Sequence, residues 1–98
     1  MKRMLFVYNS NAGRGLIRLH LADIIDIFVK AGYETVVYPT QSYKDAYKKI
    51  RHLEEDYDLV VCSGGDGTLD EVVTGMMKRK DKMPIGYIPA GTTNDFAS

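Results

Sequence analysis

Residues 60–72 read VVCSGGDGTLDEV, in which Gly64, Gly65 and Gly67 enclose a single carboxylate, Asp66, and Thr68 follows at once. Glycine lets backbone N–H groups approach phosphate oxygens with no side chain between, and a helix starting there adds a favourable dipole. A carboxylate at the centre of such a loop repels a bare polyphosphate. Asp66 therefore calls for Mg²⁺, directly or through water, or for a ligand hydroxyl that donates to it. The plainer alternative is a tight strand-to-helix turn. In it Asp66 forms an Asx turn, and Thr68 caps the helix with Glu71 completing a capping box. Three glycines around one aspartate exceed what that turn requires.

Two other loops have related compositions. Asn9, Ser10, Asn11, Ala12, Gly13, Arg14 and Gly15 follow an apolar run ending at Tyr8, and PAGTTNDF follows Ile88. Gly13 and Gly15 suit phosphate as the central glycines do, and Arg14 could reach one, although a loop arginine is more often simply solvated. Thr92, Thr93, Asn94 and Asp95 suit a helix cap as well as a ligand. Two familiar nucleotide motifs are excluded. No glycine precedes the Lys and Ser or Thr of a P-loop, and in GRGLIR Arg18 stands where a third dinucleotide-binding glycine belongs. His20 and His52 lie in helical segments without a matched acid or nucleophile, so both are expected at the surface, and packing is the default role of the tyrosines.

The elements that must hold these loops follow from periodicity. Met4 to Tyr8, Thr35 to Tyr38, Leu59 to Cys62 and Pro84 to Ile88 are short apolar or β-branched runs, expected as strands. Between them, Ile17, Leu21, Ile24, Ile25 and Phe28 recur at helical spacing, with Gly32 placed as a C-terminal glycine. Ser42 and Asp45 fit a capping box ahead of Ala46, Ile50 and Leu53, and Leu69, Val72, Val73 and Met76 give a third helical stripe. KRKDK, residues 78–82, is expected as a solvated turn. The order β, α, β, α, β, α, β predicts an α/β fold, a doubly wound and mostly parallel sheet with helices on both faces. The three loops then share the carboxyl rim of the sheet, and the first two meet if the first and third strands are neighbours.

Composition narrows the function. A chain of 98 residues with 45% apolar content supports one core, and thirteen basic side chains balance thirteen acidic ones. No net field draws the whole protein to nucleic acid or to an anionic membrane, so any anion must be caught locally. Cys62 is the sole cysteine and lies in an apolar run, where a small buried hydrophobe is expected and no internal disulfide can form. The opening MKRMLFVYNS is too short in its apolar part for a signal sequence, and no stretch approaches the ~20 apolar residues that cross a bilayer. A reducing, cytoplasmic setting is expected. A helix that starts near Asn94 would end within a turn at Ser98, which predicts one domain of a longer chain.

Taken together, YNSNAGRG, SGGDGTLDEVVTG and IPAGTTNDFA resemble the N-terminal lobe of the diacylglycerol kinase catalytic-domain family, over Leu5 to Ser98. That family includes bacterial lipid kinases and is related to sphingosine and ceramide kinases. The second and third segments, separated by a helix and a strand, are specific as a pair; a bare GGDG also occurs in NAD kinases and 6-phosphofructokinases. The resemblance implies an ATP site built from Asn9, Ser10, Asn11, Ala12, Gly13, Thr40, Gly64 to Thr68, Glu71 and Thr92, with Asp66 needed for phosphoryl transfer and Mg²⁺ as cofactor. It implies a diacylglycerol-like lipid as acceptor, peripheral membrane contact, and a β-rich domain after Ser98 carrying the lipid pocket, the general base and much of the Mg²⁺ network. The 98 residues alone are then expected to be inactive. Ser10 stands where the family usually has proline and Asp70 where it has asparagine. An NAD kinase-like enzyme and a noncatalytic nucleotide-binding domain are the alternatives.

Overall fold

The computed structural model describes residues 1–89, with Gly13 and Arg14 described in their backbone only. The expectations for Thr92 and Thr93, and for a helix from Asn94 and Asp95, lie outside the described residues. The elements are β1 (Lys2–Tyr8), α1 (Leu16–Lys30), β2 (Tyr33–Pro39), α2 (Asp45–Arg51), β3 (Leu59–Gly64), α3 (Asp66–Met77) and β4 (Ile85–Pro89). One turn of 3-10 helix, Ala12–Gly15, leads into α1. The strands pair in the order β2-β1-β3-β4 and every described pairing is parallel.

Both faces of β1 are covered, and this explains its composition. Successive side chains of a strand point to opposite faces, so a strand buried on both sides must be apolar at every position. Met4, Phe6 and Tyr8 pack with Ile17 of α1 and Val61, while Leu5 and Val7 pack with Ile50, Val60, Cys62, Val72 and Met76 beneath α2 and α3. Met4, Leu5, Phe6 and Val7 are fully buried. Side chains of this kind contribute roughly 1.5–3 kcal/mol each when removed from water. Leu21, Ile24 and Phe28 cover the α1 side as their spacing predicts, and Gly32 ends the helix at φ 96°, which glycine adopts without strain.

Several local expectations give way to longer-range contacts. The capping box at α2 is absent: Lys44, at φ 67°, precedes the helix and no side chain caps it. The Asp45 carboxylate instead accepts from the Tyr38 hydroxyl, at 2.9 Å to either oxygen, and from the Gln41 N–H at 2.7 Å. The partly buried Tyr38 hydroxyl at the strand end supplies a better donor than the helix's own first turn. Leu53 packs from beyond the end of α2 rather than from its stripe, and Val73 is exposed on α3. Residues 78–82 do more than remain solvated. Arg79 donates to the carbonyls of Ile50 and Leu53, at 3.1 and 2.9 Å, and so ties the turn after α3 to the end of α2 and the residues just past it.

The helices α2 and α3 approach closely at Gly75, where an added Cβ would lie 2.8 Å from the Tyr47 carbonyl oxygen and 3.2 Å from the Ile50 Cβ. Gly75→Ala is expected to destabilise the protein by about 1–3 kcal/mol despite the better helix propensity of alanine, measured by urea unfolding. Burial pushes the Cys62 thiol from 9.0 up to about 11. The folded state therefore keeps a proton that the unfolded chain has lost between those two values, so stability should fall as pH rises through that window. A thiol reagent at pH 8 should label Cys62 only as denaturant opens the core.

Candidate functional site

The register aligns the carboxyl ends of the strands, with Tyr8 beside both Pro39 and Ser63, and Gly64 beside Pro89. Two backbone hydrogen bonds cross these ends: Thr40 N–H donates to the Tyr8 carbonyl at 2.8 Å, and Asn9 N–H to the Ser63 carbonyl at 3.1 Å. The chain leaves β1 toward β2, then crosses back to β3, so the loops after β1 and β3 diverge and leave a crevice. A cleft of about 550 Å³ opens there.

Its walls contain most of the residues singled out from sequence. Asn9, Asn11 and Ala12 come from the first loop, Thr40 from the end of β2, and Gly65, Gly67, Thr68 and Glu71 from the start of α3. Gln41, Ser42 and Tyr43 line it as well and were not anticipated. Their only sequence signal was adjacency to Thr40, hidden by reading Ser42 as a cap. Ser10, Gly64 and Asp66 are not on the cleft lining, and Gly13 is described only in its backbone.

The first loop is folded by its own polar groups. Asn9 Oδ1 accepts from the Asn11 N–H at 3.0 Å, and the Ala12 N–H donates to the Asn9 carbonyl at 3.1 Å. Arg18, from the first turns of α1, then donates to the Ser10 carbonyl and to Asn11 Oδ1, both at 3.2 Å. This second clamp depends on a helix turning Arg18 back over the loop, which spacing alone did not indicate. Gly15 is accounted for by conformation, since it enters α1 at φ 78°.

The central glycines divide into two kinds. A Cβ on Gly64 would lie 2.5 Å from Thr68 Oγ1 and 2.7 Å from Thr68 Cβ, so Gly64 is required for α3 to start against β3. Gly65 and Gly67 have open space at the Cβ position, and neither has a positive φ. The fold makes no demand for glycine at either place, yet both line the cleft. Gly65 is the residue ahead of α3, with extended backbone and no side-chain cap. Thr68 is therefore not a cap. It lies in the first turn, buried, with its own N–H on the Gly65 carbonyl at 3.1 Å, because the helix starts at Asp66 rather than after Thr68. The capping box with Glu71 is absent for the same reason, and Glu71 faces the cleft.

Asp66 is exposed in that first turn, where a helix N-terminus favours negative charge. Beside it, the Tyr87 hydroxyl of β4 donates to the Gly64 carbonyl at 2.9 Å. Burial raises the Tyr87 hydroxyl above its ordinary range, and the Asp66 charge adds to the rise. Tyr87 thus ties β4 to the glycine loop, a role not legible from a lone tyrosine in an apolar run. Among the described residues no three His, Cys, Asp or Glu side chains gather as a metal site. Mg²⁺ does not require such a cage, since it is usually held by one or two carboxylates together with substrate phosphates and water. An exposed Asp66 beside two open glycines fits that donor set.

Comparison with known proteins places this geometry. The diacylglycerol kinase catalytic domain matches residues 3–98. The chain belongs to the diacylglycerol kinase catalytic-domain family. Among its relatives, the diacylglycerol kinase of Bacillus subtilis (strain 168) is 41% identical over 98 residues, covering 99% of this chain and 32% of that protein. The diacylglycerol kinase of Staphylococcus epidermidis (strain ATCC 12228 / FDA PCI 1200) is 44% identical over 96 residues, covering 97% of this chain and 30% of that protein. A solved diacylglycerol kinase structure from Bacillus anthracis str. Sterne superposes with a TM-score of 0.81 at 29% identity, covering 97% of this chain and 35% of that one. The chain thus spans about a third of the length of the relatives it matches. No helix among the described residues of this family member is long and apolar enough to cross a membrane.

The two kinds of glycine separate experimentally. Gly64→Ala is expected to cost about 1–3 kcal/mol in urea unfolding because Thr68 and the start of α3 must move. Gly65→Ala should leave stability close to the parent, and Gly67→Ala, inside the helix, should raise it by up to about 1 kcal/mol.

Proposed function

We propose that the cleft binds ATP with Mg²⁺, and that the full-length protein transfers the γ-phosphate to the hydroxyl of diacylglycerol or a related lipid. The observation that carries the nucleotide reading is the pair Gly65 and Gly67, which the fold does not need and which leave backbone open beside the start of α3. Family membership supports the lipid acceptor over NAD.

In this reading Gly65 and Gly67 hold phosphates through backbone N–H groups at the helix N-terminus. Asn9, Asn11, Ala12 and Thr40 face the rest of the nucleotide across the cleft. Asp66 would hold Mg²⁺, which when bound supplies neutralisation of the developing phosphate charge. Phosphoryl transfer depends mainly on positioning and charge stabilisation, which rigid glycine loops suit. Thr92 belongs to the same proposed site. The 98-residue chain alone is proposed to bind nucleotide weakly at most and to turn over no lipid. Contact of the full-length protein with the inner membrane surface is proposed to be peripheral.

The test compares diacylglycerol and NAD as acceptors for labelled phosphate from Mg-ATP, using the full-length protein. Diacylglycerol should be phosphorylated and Asp66→Asn should lower that rate roughly a hundredfold or more. Mg-ATP should also raise the melting temperature, as any ligand selective for the folded state must. Phosphorylation of NAD alone, or a fully active Asp66→Asn variant, would overturn the reading.

A further inference from the structure

We propose that Tyr43 is the base-stacking residue of the cleft, its ring packing on the purine of the bound nucleotide; this rests on the nucleotide reading above. Tyr43 is 83% exposed, unusual for a large aromatic side chain on a small lobe with a formed core. It lines the same cleft as Gly65 and Gly67. It also lines an adjoining cleft of about 290 Å³ between the start of α2 and the middle of α3, and Glu71 borders both. A ligand with phosphates on the glycines therefore shares the cleft with the Tyr43 side chain.

The loop that carries Tyr43 is held on both sides. Ahead of it, Thr40 is bonded to Tyr8, and Gln41 donates its backbone N–H to Asp45 and its side-chain amide to the Pro39 carbonyl at 2.9 Å. Behind it, Lys44 is the sole described non-glycine residue with a positive φ, at 67°. That conformation is unfavourable for lysine and persists only where the surroundings impose it. The next residue, Asp45, is held in place by the Tyr38 hydroxyl. Among the described residues the Tyr43 ring meets no other aromatic, and one cation, the Lys44 ammonium, stands 5.6 Å from its centroid. A hydrogen-bonded loop thus presents an exposed aromatic ring in a phosphate-type cleft. Stacking a planar base on it removes apolar surface from water, and the phenol hydroxyl is not needed for that contact.

The test is calorimetric titration of the full-length protein with Mg-ATP and with Mg-tripolyphosphate, which shares the phosphates and lacks the base. Tyr43→Ala should weaken ATP roughly tenfold and leave tripolyphosphate unchanged, whereas Tyr43→Phe should bind both as the parent does. In lipid phosphorylation, Tyr43→Ala should raise the KM for ATP in step and leave kcat unchanged. Equal losses for ATP and tripolyphosphate, or a Tyr43→Ala variant that binds ATP normally, would overturn the stacking role while leaving the nucleotide reading intact. A parent protein that binds tripolyphosphate but gains nothing from the base would overturn both.

Discussion

The pairing of β1 with β2 on one edge and β3 on the other obliges the chain to leave β1 in one direction and cross back over it. The loops that follow β1 and β3 then part, and the crevice between them has a floor of strand ends rather than a packed helix. The bonds from Thr40 to Tyr8 and from Asn9 to Ser63 extend this parallel register one step past the strands. They set the cleft walls at fixed separations. Everything placed along the rim depends on β1 remaining central, which the burial of Met4 to Tyr8 on both faces enforces.

Glycine has three distinct uses around this cleft. Gly15 and Gly32 supply positive φ at the two ends of α1, and Gly64 lets Thr68 sit against β3. Gly65 and Gly67 meet neither demand. The distinction matters because a glycine without a conformational or steric reason costs chain entropy and returns no stability. What remains for such a residue is close approach by something else. The same reasoning separates Thr68, whose buried position is structural, from Glu71 and Tyr43, whose side chains face open space.

Several elements are held together by single polar side chains. Tyr87 reaches the Gly64 carbonyl from β4, Tyr38 holds Asp45, Arg18 holds Ser10 and Asn11, and Arg79 closes the end of α2. None of these side chains was distinguishable beforehand from a packed tyrosine or a solvated arginine. Their partners are mostly carbonyl oxygens, which every residue has, so no pattern of residue types marks them. Local rules went astray at the same places: Asp45 and Thr68 both fit capping boxes, and both were drawn instead into contacts with a neighbouring strand.

The amino-acid sequence by itself determined the class of fold, the four strands and three helices of the described lobe, the buried role of Cys62 and the family. These are legible because apolar periodicity, glycine placement and the GGDGT segment are local properties of the chain. Tertiary structure alone decided that β1 lies between β2 and β3, that Asp66 sits beside the cleft lining while Glu71 lies on it, and that Tyr43 lines the cleft with its side chain exposed. Those outcomes depend on which strand edges pair and where each helix starts, and a shift of one residue in a helix start turns a side chain by about 100°.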